Sequence, residues 1–429
     1  MYDAGGMGVK LSVVGGGSSY TPELVDGFAS RTDRLPLDEL VLLDVDQERL
    51  DVVGGLAGRM LARAGWGGSL VCTTEPDRAL DGADYVVVQL RIGGQGARLL
   101  DETIPPRFGC IGQETTGPGG LAKALRTVPV VLELAEAAAR RSSPGAWIVD
   151  FTNPTGIVTQ ALLDEGHRAV GLCNVGIGAQ RSLAAMLDVD PGRVEIHHAG
   201  LNHLSWVRGV RLDGSNVLTE LLGDRGEELA ERVNWPVELL RELQAIPSYY
   251  LRYYYLHGEM LAHQRDHPPR AEEVRRIEAE LFDLYREPAL DHKPEQLGQR
   301  GGAFYSEAAA QLIASLHDGA GDVQIVDVRN DGALPGLADD DVVEVPARVD
   351  RDGAVPVPTP PLAPEMLGLV QHAKAYERLA VQAAVTGSRN AALRALLANP
   401  LVGDYRVAEP LLAALLDANR SHLPRFFPA

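Results

Sequence analysis

The chain has 429 residues, 45% of them hydrophobic, and carries a formal net charge of −19. That length accommodates two or three domains, and that composition fills a globular core. The negative charge argues against nucleic acid and anionic membrane surfaces as partners.

Three cysteines, Cys72, Cys110 and Cys173, form no disulfide pattern, which points to a reducing cytoplasm. No apolar run reaches bilayer-spanning length, and the start MYDAGGMGVK lacks signal-peptide character. The residues before Val9 read as a loose extension, with Met7 as an alternative start.

In chain order, LSVVG at 11–15 reads as a buried strand ending in glycine, followed by a helix in TPELVDGFASR. ELVLLDVD at 39–46 is a second strand ending in acid, and QERLDVVGGLAGRMLARAG a helix with one apolar face. SLVCTTE, ADYVVVQL at 83–90, AWIVDFTNP at 146–154 and AVGLCN at 169–174 supply further strands. Strands alternating with helices predict an α/β fold with a Rossmann-type, doubly wound parallel sheet. The pattern changes near 194, where alternating strands begin. Helices dominate from about 218, and residues 324–357 read as β structure with Asp-Gly turns. The expectation is a nucleotide-binding domain over 7–195 and an α+β domain over 196–429. The proline-rich PVPTPPLAPE at 356–365 reads as a connecting loop rather than a domain linker.

GGGSSYTPE lies between a strand and a helix, the context of a phosphate-binding turn. Gly15 and Gly17 allow the backbone to turn and approach a pyrophosphate, and the helix N-terminus offers free N–H groups and a positive dipole end. Tyr20 stands where the usual third glycine would be, so the motif alone also fits a turn with no ligand. The candidate cofactor residues are Gly15, Gly17, Ser18, Ser19 and Tyr20, with Asp44 at the end of the second strand to accept from ribose hydroxyls. A carboxylate there repels a 2′-phosphate and favours NAD over NADP. Asp46 is the neighbouring alternative.

Cys173 follows an apolar strand and His203 lies thirty residues on. Thiolate and imidazole could share a metal with substrate oxygens and water, although an isolated Cys and His also occur as packing residues. By softness such a pair suits zinc or iron. The run IPSYYLRYYYLHGE offers tyrosines, either as aromatic packing or as a base.

The motifs VVGGGSSYTPEL, IGQETTGPGG, DFTNPTG, GLCNVGIG, GLNHLSW and PSYYLRYYY, in this order, resemble glycoside hydrolase family 4, in particular its 6-phospho-β-glucosidase branch. The likeness runs from Val9 to the C-terminal helices and includes RGGAFYSEAA and VRNDGALPGLADDDVVEVP. It implies a fold similar to lactate and malate dehydrogenases in the N-terminal half. It also implies the NAD-dependent exception to two-carboxylate glycoside hydrolysis, with a divalent metal, usually manganese, on Cys173 and His203; that displaces zinc and iron.

The implied reaction is oxidation at the sugar C3, loss of the C2 proton, departure of the aglycone, addition of water at C1 and return of the hydride. The base is a tyrosine, placed at Tyr250 with Tyr249, Tyr253 and Tyr254 as register alternatives. A phenol of ordinary pKa ~10 needs lowering, from the metal or from Arg252. Asn174 stands where α-specific members have an aspartate, which favours β-glycosides and leaves the leaving-group proton donor unidentified. Gly176 departs from the proline of β-type members. Asn153 is expected on the substrate or the nicotinamide, Gln113 and Glu114 on a loop over the site, and Arg91 and Arg270 on a 6-phosphate, with Arg329 and Asn330 as weaker candidates. The substrate is then a small sugar-phosphate glycoside and the assembly a homodimer or homotetramer. A family member acting on α-linked or unphosphorylated glycosides, a malate-type dehydrogenase and a silent sugar-phosphate sensor are the alternatives.

Overall fold

The computed structural model describes residues 8–302 and 304–428, so Met7 and the expected N-terminal extension lie outside it. The first half lays down β1 (Val9–Val14), β2 (Leu37–Leu43), β3 (Ser69–Thr73), β4 (Tyr85–Val88), β5 (Trp147–Asp150) and β6 (Ala169–Gly171). They pair in parallel in the order β3-β2-β1-β4-β5-β6, the order of a dinucleotide-binding sheet. Most residues of β1, β2 and β4 are buried, as expected of strands covered on both faces.

Successive side chains feed two separate cores. Leu11, Val13, Leu40, Leu42 and Val170 point to one side, with helices Thr21–Ala29, Gln47–Arg63 and Tyr305–Asp318. Val14, Val41, Leu43 and Ala169 point to the other, with helices Gly117–Arg141, Thr155–Asp164 and Pro364–Thr386. Each fully buried leucine contributes about 1.5–3 kcal/mol relative to exposure.

The second half adds β7 (Val194–Leu201), β8 (Leu204–Leu212), β9 (Ser215–Asn216), β10 (Ile246–Pro247), β11 (Asp322–Arg329), β12 (Val342–Asp350) and β13 (Gly353–Pro356). These strands do not build a second sheet. They extend the first, antiparallel, as β6-β11-β12-β7-β8-β10, giving thirteen strands among the described residues. The boundary expected after residue 195 falls inside β7.

The seam is the pairing of Gly171 with Asp327. A Cβ at Gly171 would lie 2.2 Å from Thr159 Oγ1 and 2.8 Å from Asp327 Cβ, so the two parts of the sheet meet where one residue has no side chain. The proline-rich segment is a surface connection to the helix starting at Pro364, and Arg208 pins it by donating to the Pro360 and Pro361 carbonyls at 2.8 and 2.6 Å.

Candidate active site

The glycine loop follows β1. Gly15 has φ +89, and a Cβ there would meet the Gln89 carbonyl oxygen at 2.5 Å. The N–H groups of Gly15 and Gly16 both donate to the Leu43 carbonyl at 2.8 Å. A Cβ on Gly16 would lie 2.8 Å from Leu42 Cα, which adds this residue to the loop's requirements. Gly17 N–H donates to Asp44 Oδ2 at 2.9 Å, so Asp44 is tied to the turn as well as standing at the end of β2. Asp46 instead caps the next helix, accepting from Arg49 N–H at 3.1 Å.

Ser18 and Tyr20 border a cleft at the carboxyl ends of the parallel strands. Ser19 is buried and its hydroxyl donates to Glu278 at 2.9 Å, which leaves its backbone as the part that faces the turn. Tyr20 donates to the Gly302 carbonyl and precedes the helix that begins Thr21-Pro22. The arrangement fits a pyrophosphate: close backbone, a helix N-terminus and a carboxylate at the ribose position.

β6 ends at Gly171, two residues short of Cys173, which becomes the N-cap residue of helix Asn174–Leu187. His203 occupies the two-residue turn between β7 and β8, whose last and first residues Leu201 and Leu204 are paired. Its φ of +62 is unusual for a residue with a Cβ, the kind of backbone strain that collects at functional sites.

The Tyr250 ring stacks on His203, centroids 3.6 Å apart and planes at 14°. The Tyr305 hydroxyl donates to Cys173 Sγ at 3.7 Å, and the Asn174 amide oxygen lies 3.9 Å from that sulfur. Burial lowers His203 to about 4, outweighing Glu344, so the imidazole is neutral near pH 7 and suited to ligation. Burial pushes the Cys173 thiol and the Tyr250 phenol well up, and Cys173 adds to the effect on Tyr250. Each needs a cation to hold its anion there. Among the described residues no three His, Cys, Asp or Glu side chains form a metal-binding group. A metal held by Cys173 and His203 alone would keep most positions open for substrate and water, as a catalytic site requires, and the buried Asn153 Oδ1 beside the cleft is without a partner among the described residues.

The cleft, about 310 Å³, is lined by Arg91, Arg98, Lys123, Arg270 and Arg300 against Glu114, a local positive field in an acidic chain. Glu114 sits among Arg91, Arg98 at 3.4 Å and Lys123 at 2.7 Å. Burial raises its carboxyl, but these three cations hold it well below the usual range. Burial lowers Lys123 to about 7, Glu114 opposing. A larger cavity of about 710 Å³ lies on the other side of Cys173, lined in part by Gln180, His197, Arg208 and Arg348. It is bordered by neither the glycine loop nor Tyr250. Cys173 lines this larger cavity and His203 a small chamber; they meet the smaller cleft through Tyr305 and Tyr250, which line it.

Ser18, Tyr20, Arg91, Asn153, Asn174, Tyr250 and Arg270 all border that cleft. Arg91 is committed to Glu114, whereas Arg270 is exposed at a helix start, paired with Glu273. Arg329 and Asn330 lie elsewhere: Arg329 donates to Leu163 and Asp340 carbonyls, and Asn330 braces its own loop through Leu334. Tyr249 is half exposed, Tyr253 is buried 6.4 Å from the Tyr250 ring, and Tyr254 borders a small chamber behind His203. Arg252 is bonded to Asn234 and Glu259; Arg98 is a cation that opposes the rise at Tyr250. Gly176 fits because a Cβ there would lie 2.8 Å from three carbons of Ile325 on β11.

Four titratable cleft residues escaped sequence reasoning. Arg98 and Lys123 sit within ordinary helices, and Arg300 and Tyr305 come from a Gly-Gly turn region whose signal was conformational rather than chemical. Gln113 is not a cleft-lining group; its amide oxygen accepts from Thr115 N–H at 2.5 Å and Thr116 N–H at 2.7 Å.

A family model described as Family 4 glycosyl hydrolase matches residues 10–189, and one for its C-terminal domain matches residues 198–402. A probable 6-phospho-beta-glucosidase of Bacillus subtilis (strain 168) is 45% identical over 98% of each chain. The structure of the 6-phospho-beta glucosidase from Thermotoga maritima with manganese, NAD+ and glucose-6-phosphate is 36% identical, covers 96% of this chain and 99% of its own, and superposes with a TM-score of 0.90. Malate dehydrogenase from Plasmodium falciparum, at 14% identity and a TM-score of 0.52 over 88% of this chain and 99% of its own, shares the fold.

Proposed function

Because the chain belongs to the family 4 glycosyl hydrolases, we propose that it hydrolyses 6-phospho-β-glucosides with NAD and a divalent metal, manganese in the first instance. The observation that carries this reading is that Tyr250 and Tyr305 line a cation-rich cleft beside the glycine loop, with His203 stacked behind the first and Cys173 in contact with the second. A malate-type dehydrogenase has no use for that thiol, imidazole and stacked phenol together.

Bound NAD would supply a transient oxidation of the sugar and take the hydride back, and a metal held by Cys173 and His203 would supply Lewis acidity to the substrate oxygens. Gly15, Gly16 and Gly17 bring backbone close to the pyrophosphate, and Asp44 accepts from the ribose. Tyr250, as phenolate, takes the C2 proton at its oxygen; its contact with His203 fixes where that oxygen can lie. Oxidation at C3 would make the C2 proton acidic enough for Tyr250 to take; loss of the aglycone from C1, addition of water there, return of a proton to C2 and return of the hydride to C3 would complete a hydrolysis with no net redox change. Asn153 and Asn174 orient sugar hydroxyls. Arg91, Arg270 and Arg300 supply the positive field for a 6-phosphate.

Asn174 offers no carboxylic acid to the leaving group, and the relatives of highest identity described above bear β-glucosidase names; both support the β preference. The Rossmann part, 7–195, then carries the cofactor, and 196–429 the substrate contacts and assembly as a homodimer or homotetramer. Three unpaired cysteines support a reducing, cytoplasmic setting. No helix among the described residues is long and apolar enough to cross a membrane.

The test is turnover of a chromogenic β-glucoside 6-phosphate in D₂O with NAD, Mn²⁺ and a thiol reductant. Deuterium at C2 of the released sugar with no net NADH is the expected result. Release without label, or steady accumulation of NADH, rejects the route.

A further inference from the structure

Three polar atoms behind the His203 ring form a chain that has a direction. The Thr115 hydroxyl oxygen lies 2.8 Å from Gln113 Oε1 and 2.9 Å from His203 Nδ1. Two backbone N–H groups, of Thr115 and Thr116, point at Gln113 Oε1. That identifies it as the amide oxygen, because an NH₂ group there would face two donors.

The amide oxygen carries no hydrogen, so the hydrogen between it and the Thr115 oxygen is the threonine's own. The threonine hydroxyl has one hydrogen to give. Having donated it to Gln113, Thr115 can act toward His203 as an acceptor, and the proton between them belongs to Nδ1.

We infer that Gln113 and Thr115 are positioning residues that lock His203 in its Nδ1–H tautomer, leaving the Nε2 lone pair as the donor presented to a divalent metal. The inference rests on the reading of His203 as a metal ligand.

The chain is anchored from outside the site. The Gln264 side chain accepts from Gly112 N–H and donates to the Gly112 carbonyl, both at 2.9 Å, clamping the residue before Gln113 to helix His257–Asp266. Thr115 is buried, so no bulk solvent competes for the histidine N–H. Outer hydrogen bonds of this kind, when removed, cost about 10–100-fold in metal affinity.

The test uses the full-length protein stripped with chelator, titrated with Mn²⁺ and read by the EPR signal of free ion, beside the ring ¹⁵N spectrum of His203 assigned with His203→Gln. Thr115→Val, which keeps the shape and removes the acceptor, is expected to weaken Mn²⁺ binding about 10–100-fold. It should also convert the ring from a single Nδ1–H form to a mixture. Thr115→Ser, which restores the hydroxyl, is expected to retain both the affinity and the spectrum.

Wild-type affinity and an unchanged ring spectrum in Thr115→Val overturn the inference, as does a wild-type spectrum showing Nε2–H. Should Thr115→Val not fold, loss of affinity in Thr115→Ser overturns it equally. Undiminished Mn²⁺ binding by His203→Gln is a separate result: it removes His203 as a ligand and with it the reading on which the inference rests.

Discussion

Tyr250 lies flat against His203, its ring centroid 3.6 Å from the imidazole. A residue proposed as the base is thereby held by a residue proposed as a metal ligand. The contact is made by the ring faces, so the phenolic oxygen contributes chemistry but little packing.

Tyr250→Phe should therefore separate the two roles. The stack survives, and thermal unfolding should stay within a few degrees of the parent. The turnover rate should fall about 10²–10⁴-fold, the range for losing a general base. A thermal melt reads the first, and steady-state kinetics with C2 exchange in D₂O the second. Normal exchange in the variant moves the base to another tyrosine.

Cys173→Ala removes the thiol that Tyr305 contacts and that a cation would hold as thiolate. Activity should vanish, and chelator should abolish activity in the parent until Mn²⁺ is restored. The sulfur faces the backbone N–H of Val175 in the first turn of helix Asn174–Leu187 but makes no capping hydrogen bond of good geometry, so helix content should change little, as circular dichroism would register. Full activity in the variant ends the metal role of Cys173.

Glu114→Gln leaves Arg91, Arg98 and Lys123 facing one another without their shared anion. Breaking a largely buried pair on one side costs about 3 kcal/mol, and the variant should unfold at correspondingly lower denaturant concentration. A change below about 0.5 kcal/mol, the scale of ordinary surface substitutions, would show that solvent screens this cluster.

His203 gives a pH signature in the metal-free protein. Burial lowers it from 6.5 to about 4, so between those values the unfolded chain binds the proton more readily than the folded one. Stability then rises with pH across that window and is lost on acidification. In chelator, the unfolding free energy of the parent minus that of His203→Gln should fall by about 3 kcal/mol from pH 7 to pH 4. A flat difference means that the imidazole is solvated.

The features legible in the sequence are those set by local geometry. Gly15 and Gly17 announce a turn between a strand and a helix, and Cys173 and His203 lie where strands end. Tyr250 was recoverable as one of several because a helical register cannot be read within a tyrosine run. The structure places it in a 3₁₀ turn at Tyr249–Leu251, with Tyr253 turned into packing. What was not legible depends on long-range pairing. Lys123 and Arg98 look like surface residues until Glu114, from a separate loop, is placed between them. Likewise, nothing in the local pattern of β11 tells that Asp327 will stand beside Gly171.

That last pairing fixes an order of assembly. The hairpin bearing His203 leaves the ribosome long before β11 and β12 exist, yet it reaches the parallel sheet through them. Until they insert, β6 has an open edge and no strand pairing joins the hairpin to the parallel sheet. Such distant pairings form late and expose strand edges meanwhile. A newly made chain thus closes its sheet only when nearly complete, and if Cys173 and His203 share a metal, a chain ending before β11 is expected to capture Mn²⁺ more weakly than the whole protein.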